Sequence, residues 1–116
     1  MKIEYFGSQP YTIKNIDRYE VEIDLLNCSE VAIGVNGFRV GNYDFLENKY
    51  NNSEWYVETG KDTFSLMTNR QQKMILKLAN VFFKNLYKKM LVKDCNNQYY
   101  NKMLNTAKNN IKILGV

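Results

Sequence analysis

The chain of 116 residues contains no histidine. That absence removes imidazole general-base catalysis, the Ser-His-Asp and Cys-His arrangements, and the usual zinc and non-haem iron sites. Cysteine is nearly absent too. Cys28 and Cys95 lie far apart in sequence, with no second cysteine beside either, so neither a metal knuckle nor a redox pair is spelled out. Cys28 sits in an expected loop but lacks a basic neighbour that would activate it as a nucleophile. The six glycines, at 7, 34, 37, 41, 60 and 115, are dispersed as turns, bulges and tail, and no Gly-rich phosphate-cradling loop exists. No apolar run approaches the roughly 20 residues of a membrane span. The first residues, Met1 to Phe6, lack the apolar stretch of about 7–15 residues that marks a signal peptide. The expectation is a soluble cytoplasmic protein with no membrane partner and no cofactor.

What is present is ordinary globular composition, 45% hydrophobic and 24% charged. The length gives the expectation of one domain, residues 1–116, able to bury roughly two-thirds of its unfolded surface without a metal or disulfide. Sixteen Asn, thirteen Lys and nine Tyr against three Ala and one Pro favour residues with AT-rich codons, which points to a low-GC bacterium or its mobile elements.

The hydrophobic period changes once, near residue 68. Before it the period is two. Tyr19, Val21, Ile23 and Leu25 alternate with Glu20, Glu22 and Asp24, as in a strand with one face buried and one wet. Val31, Ile33 and Val35 alternate likewise, and Asn36-Gly37 predicts a type I′ hairpin turn, pairing Val35 with Phe38 and Ile33 with Val40 on one apolar face. A second hairpin, turning at Gly60-Lys61, is expected to pair Val57 with Phe64 and Trp55 with Leu66. Shorter strands are expected near 2–6 and 11–14.

After residue 68 the period becomes 3.6. Thr68 and Gln71 have capping-box spacing. Met74, Ile75, Leu78, Ala79, Val81, Phe82, Phe83 and Leu86 share a broad face of a helix of about five turns, opposite Arg70, Lys73, Lys77, Lys84 and Lys88. The stretch 93–97 interrupts it, with Asp94 or Asn96 as the next cap. A second stripe, Tyr100, Met103, Leu104, Ala107, Ile111 and Leu114, predicts a helix from 97 to about 114. The fold class expected is α+β: an antiparallel sheet of about five to seven short strands in residues 1–67, meander or hairpins, followed by two C-terminal helices packed on one face.

Charge divides at the same boundary. Residues 1–68 hold 6 basic and 11 acidic side chains, whereas 69–116 hold 10 basic and a single acid, Asp94. Two candidate interaction faces follow, each of which also satisfies the description of a solvated surface. The first is the acidic sheet face of Glu20, Glu22 and Asp24 with Arg39. A five-residue loop at 26–30 would set Glu22 opposite Gly34 and the hairpin Gly34 opposite Arg39, letting Arg39 reach Glu22. Ala32, Gly34 and Gly41 beside it would form a trough of small residues; the other reading is that Gly34 and Gly41 mark bulges or a strand end. The second is the basic helix face of Arg70, Lys73, Lys77, Lys84 and Lys88, a phosphate-tracking stripe with Tyr87, Tyr99 and Tyr100 near enough in sequence to stack on bases. Tyr43, Phe45 and Tyr50, in a stretch of no clear period, are candidate aromatic anchors. Three carboxylates along one strand spread over about 14 Å, too far to converge on a metal. Trp55 reads as core.

With no catalytic constellation, the expected function is a non-enzymatic binding or inhibitor protein with a protein partner. Size and codon signature suggest a phage or mobile-element accessory, acting on a bacterial defence nuclease or nucleoprotein as anti-CRISPR proteins do. The alternative is a nucleic-acid-binding protein using the basic C-terminal helices.

Overall fold

The computed structural model describes residues 3–6, 9–52 and 63–116. Among these residues six strands run in sequence order across one antiparallel sheet: β1 (Glu4–Phe6), β2 (Gln9–Ile16), β3 (Tyr19–Leu25), β4 (Glu30–Val35), β5 (Phe38–Asp44) and β6 (Lys49–Asn52). Three helices follow, α1 (Thr63–Leu66), α2 (Asn69–Lys93) and α3 (Gln98–Leu114). The class is α+β, a meander sheet and then two C-terminal helices.

The alternation in β3 orders the sheet. Val21 and Ile23 are fully buried, and their partners on either side, Lys14 and Thr12 on β2, Val35 and Ile33 on β4, share that face. Glu22 lies opposite Gly34, and Gly34 opposite Arg39, as the loop and turn lengths require. Asn36 and Gly37 both have positive φ, 52° and 84°, the type I′ requirement.

The hairpin nevertheless departs from simple pairing. A register shift between Ile33 and Gly34 leaves Ile33 opposite Gly41 instead of Val40, while Val35 does pair with Phe38. The extra residue is a β-bulge. It turns Val40 and Gly41 both toward the buried side, so Gly41 leaves the trough expected on the wet face. Phe38, expected among the buried four, is 59% exposed.

The bulge also explains Tyr43, Phe45 and Tyr50. Shifting the phase of β5 by one residue puts Tyr43 opposite Val31 on the apolar face, and Tyr50 of β6 opposite Tyr43. Tyr43 and Phe45 have no exposed surface. Tyr50 lies over Gly41, donating its hydroxyl to the Val40 carbonyl at 2.9 Å and stacking on Phe64 at 3.9 Å. These three side chains are core and lining, which corrects their assignment as aromatic anchors.

The second expected hairpin is also corrected. Trp55, Val57, Gly60 and Lys61 lie outside the described residues, but Phe64 and Leu66 occupy the helical turn α1, with Phe64 buried and Leu66 82% exposed. They are not strand partners. A strand-like alternation of apolar residues over so few positions is equally compatible with one helical turn.

Helix α2 starts where the capping box places it. Thr68 accepts from the Gln71 amide at 3.1 Å and the Gln71 side chain accepts from the Thr68 amide at 3.0 Å. At 25 residues it is longer than the five turns expected. Asn97, not Asp94 or Asn96, caps α3, accepting from the Tyr100 amide at 3.0 Å. Asp94 instead closes α2, donating its amide to the Met90 carbonyl at 3.1 Å. Ile75, Leu78, Ala79, Phe82, Phe83 and Leu86 point into the same core as the sheet's apolar face. Packed against α2, α3 adds Met103, Leu104 and Ala107 to that core. Phe45 stacks on Phe83 with centroids 4.1 Å apart, joining strand end to helix.

One polar chain runs through this apolar mass. Asn80, fully buried, donates to the Tyr43 hydroxyl at 2.9 Å and to the Leu76 carbonyl at 2.9 Å. Asn110 donates to Asn80 Oδ1 at 3.0 Å and to the Phe45 carbonyl at 2.7 Å. The Tyr43 hydroxyl donates in turn to Asn48 Oδ1. Four elements are thereby indexed to one another by directional bonds, which a purely apolar contact does not do.

Candidate binding faces

With the helices on one side of the sheet, the other side is left without a layer among the described residues. Antiparallel sheets tolerate this when the wet face is polar. Pairing arranges that face in rows: Glu4, Tyr11, Asp24, Ala32, Asn42 and Asn51 in one, Ile13, Glu22, Gly34 and Arg39 in the next, Asn15 and Glu20 in a third. Glu20, Glu22 and Asp24 are therefore central and contiguous, as their alternation in β3 predicts.

Two of the three carboxyls are electrostatically crowded. Partial burial pushes Glu22 above the ordinary carboxylate range, helped by the charge of Asp24, a hydrogen bond with Asp24, and the charge of Glu20. Asp24 is also raised, by burial, against the opposing pull of the Glu22 hydrogen bond and the Arg39 charge. Arg39 is thus the nearby cation, but its guanidinium is anchored on Asn42 Oδ1, with Nη2 at 2.6 Å and Nε at 3.3 Å. The expected reach across Gly34 to Glu22 is replaced by this local bond, since Asn42 lies on the same face three residues along the strand. Gly34 still leaves room: a Cβ there would meet Glu22 and the Phe38 carbonyl only at ordinary contact distance.

Other acids near this face are engaged locally. Asp44 Oδ1 accepts from the amides of Leu46 and Glu47, and Glu30 accepts from the Asn27 side chain. Among the described residues Glu20, Glu22 and Asp24 form an acidic group facing outward together on β3, with Glu4 farther out in the Asp24 row. Among the described residues no group of three or more Cys, Asp or Glu is placed to hold a metal ion.

The basic face is less uniform than the helical wheel implies. Lys73 and Lys88 are exposed and Lys84 half-buried. Lys77 donates to the backbone oxygen of Val116. Arg70 pairs with Asp17 at 3.2 Å. Between β2 and α2 a half-open groove of about 500 Å³ is floored by Ile16, Met74 and Leu78 and edged by Lys14, Arg70 and Lys77. The tyrosines expected to stack beside this stripe are otherwise employed. Tyr87 is buried and donates to the Cys28 carbonyl at 2.6 Å, its own ionisation pushed far up by burial. Tyr100 packs on it at 5.8 Å, and Tyr99, half-exposed, closes the group. Cys28 and Cys95 are both free and exposed.

Sequence reasoning passed over one further surface, the outward side of α3, where Gln98, Asn101, Lys102, Asn105, Thr106 and Asn109 line a shallow, open depression. An apolar-stripe reading looks only at the other side of such a helix.

No family model, curated protein or solved structure matches this chain. Among the described residues no helix is long and apolar enough to cross a membrane.

Proposed function

We propose that this protein acts without catalysis, as a docking or inhibitor module whose acidic sheet face occupies a basic surface of a protein partner. The observation that supports the reading is the placement of Glu20, Glu22 and Asp24 together on the uncovered side of the sheet, with the charges of Glu22 and Asp24 raised in cost by burial and Arg39 beside Asp24. A partner presenting Lys or Arg relieves that repulsion, and a single-sign field speeds and selects association more than it adds raw affinity. The basic surface of a nuclease or nucleoprotein fits this chemistry. With the AT-rich codon signature, it supports an accessory of a phage or mobile element, acting on a defence nuclease in the manner of anti-CRISPR proteins.

The test is recovery of a partner from a low-GC host, then charge reversal. Glu22→Lys with Asp24→Lys should abolish the complex and any inhibition of the partner's nuclease activity, with the melting temperature nearly unchanged. Lys77→Glu with Lys84→Glu should leave both intact. The opposite pattern moves the interface to α2.

A further inference from the structure

Helix α3 carries a feature that no part of the docking function uses. Its 17 residues include no Asp or Glu, and its inward side is fully assigned: Met103, Leu104 and Ala107 to the core, Asn110 to Asn80 and the Phe45 carbonyl. The outward side is amide and lysine. At about 100° per residue, Asn101, Asn105, Gln98 and Asn109 fall within roughly 80° of arc. Lys108 lies along one edge of this ridge and Lys102 along the other, while Lys112 continues the ridge's own line at its C-terminal end.

We propose that this ridge is a DNA-reading surface, which lies in the major groove of A·T-rich B-form duplex with Asn105 and Asn109 toward adenine edges. The occupant follows from the chemistry. Residues 69–116 carry ten basic side chains and one acid, a field complementary to a polyanion. Yet the centre of the ridge is neutral amide, each group offering a donor and an acceptor side by side, the pattern that pairs with adenine N7 and N6. An acidic protein surface would be met better by cations at the centre. Lysines at the margins are where phosphates flank a helix in the groove. Ile113, 65% exposed and about 40° of arc beyond Asn109, suits a thymine methyl.

The two amides assigned to adenine are unengaged. Asn101 spends its Nδ2 on the Asn97 carbonyl at 3.1 Å, and Thr106 spends its hydroxyl on Lys102. Among the described residues Asn105 and Asn109 make no side-chain hydrogen bond, in contrast to Asn110, one position on, which makes two. Packed against α2 on one side alone, α3 spans about 25 Å, and the major groove of B-DNA, about 12 Å wide, admits a helix. The deep, narrow major groove of A-form RNA does not.

This inference goes beyond the sheet-face function and does not depend on it; it also uses residues other than the α2 stripe. Fluorescence anisotropy with the full chain tests it, using A·T-rich and G·C-rich DNA duplexes of about 18 bp and an A·U-rich RNA duplex, from about 50 to 200 mM salt. The A·T-rich DNA should bind at least tenfold more tightly than either of the others. Asn105→Ala with Asn109→Ala, which raises helix propensity, should bring that ratio close to one, and Lys102→Gln with Lys108→Gln should weaken all duplexes and flatten the salt slope by about two units. Equal binding of A·T-rich and G·C-rich DNA overturns the proposal, as does no binding at about 50 μM protein and 50 mM salt, or a preference that survives the double Asn variant in a protein that melts like the wild type. If the Asn variant fails to fold, the wild-type duplex comparison decides alone.

Discussion

Gln71 fastens the β2–β3 turn to the first turn of α2. Its Nε2 donates to Asp17 Oδ2 at 3.0 Å while its Oε1 accepts from the Thr68 amide, so one side chain completes both a helix cap and a tertiary contact. Asp17 has φ of 53°, a conformation Asp and Asn tolerate better than other side chains, and Arg70 binds the same carboxylate oxygen.

These bonds, from Gln71 first and then Arg70, hold the Asp17 carboxyl below its ordinary value of 3.8. A carboxyl lowered by folding adds stability above its unfolded pKa and loses it as pH falls through the folded one. Asp17→Asn keeps the backbone preference and removes the charge. It should be less stable than wild type at pH 6, with the difference shrinking below about pH 4; thermal melts across that range check it. Gln71→Ala, which also opens the cap, should cost about 1–2 kcal/mol at neutral pH.

The buried chain from Asn110 through Asn80 to Tyr43 carries a second expectation. Asn80→Ala removes the donor to the Tyr43 hydroxyl and one of the two acceptors of the Asn110 amide in a dry interior, at a cost of about 2–4 kcal/mol. Asn110→Ala leaves the Phe45 carbonyl without its donor and should cost about 1–3 kcal/mol. Because the two side chains bond to each other, the double variant should fall short of the sum by about 1 kcal/mol or more. Urea titrations of the three proteins measure this; strict additivity would mean that the chain is not an energetic unit.

These residues mark where the sequence was readable and where it was not. The β3 alternation, the Asn36-Gly37 turn and the Thr68 box are local patterns, each with its own mechanism, and the structure follows them, down to Glu22 opposite Gly34. The bulge at Val40 lies between strands marked by Gly34 and Gly41, whose signature reads equally as a bulge or as a trough of small residues, and it displaces every position after it in β5. Tyr43 and Phe45 looked free of period because the phase had slipped by one, and they became interface candidates when they were core. Asn80 and Asn110 were invisible for a related reason: polar residues on an apolar stripe read as its boundary until their partners are known. The acidic face could be drawn from β3 alone, but the capture of Arg39 by Asn42 depended on the same bulge.

Gly41 gives a third expectation. Tyr50 and the Asn51 carbonyl occupy the place where a Cβ on residue 41 would stand. Gly41→Ala must displace the Tyr50 ring from the Val40 carbonyl and from Phe64, costing about 1–3 kcal/mol as overpacking does. Gly34→Ala, on the wet face with contacts near 3.6 Å, should change stability by less than about 0.5–1 kcal/mol. Comparable losses in chemical denaturation would contradict the bulged register that turns Gly41 inward.

The fourth expectation concerns Glu22 and Asp24, whose shifts have the opposite sign to that of Asp17. A carboxyl whose pKa is raised by folding favours the folded state while protonated, and that contribution disappears as pH rises from the ordinary values of 4.5 and 3.8 through the raised ones. At neutral pH the pair is therefore a liability for the isolated protein. Glu22→Gln should stabilise it at pH 7 by a few tenths of a kcal/mol, up to about 1, the scale of like charges on neighbouring sheet positions, and should do nothing near pH 4. A basic partner inverts this balance, since its charge favours the ionised pair. Complex formation should release protons and tighten as pH rises from about 4 through the raised values, which calorimetry in buffers of different ionisation enthalpy detects. A Glu22→Gln protein that melts lower at pH 7, or a partner whose affinity ignores pH over that interval, would show that the carboxylates are already compensated within the fold, and the sheet face would lose its claim to be the docking surface.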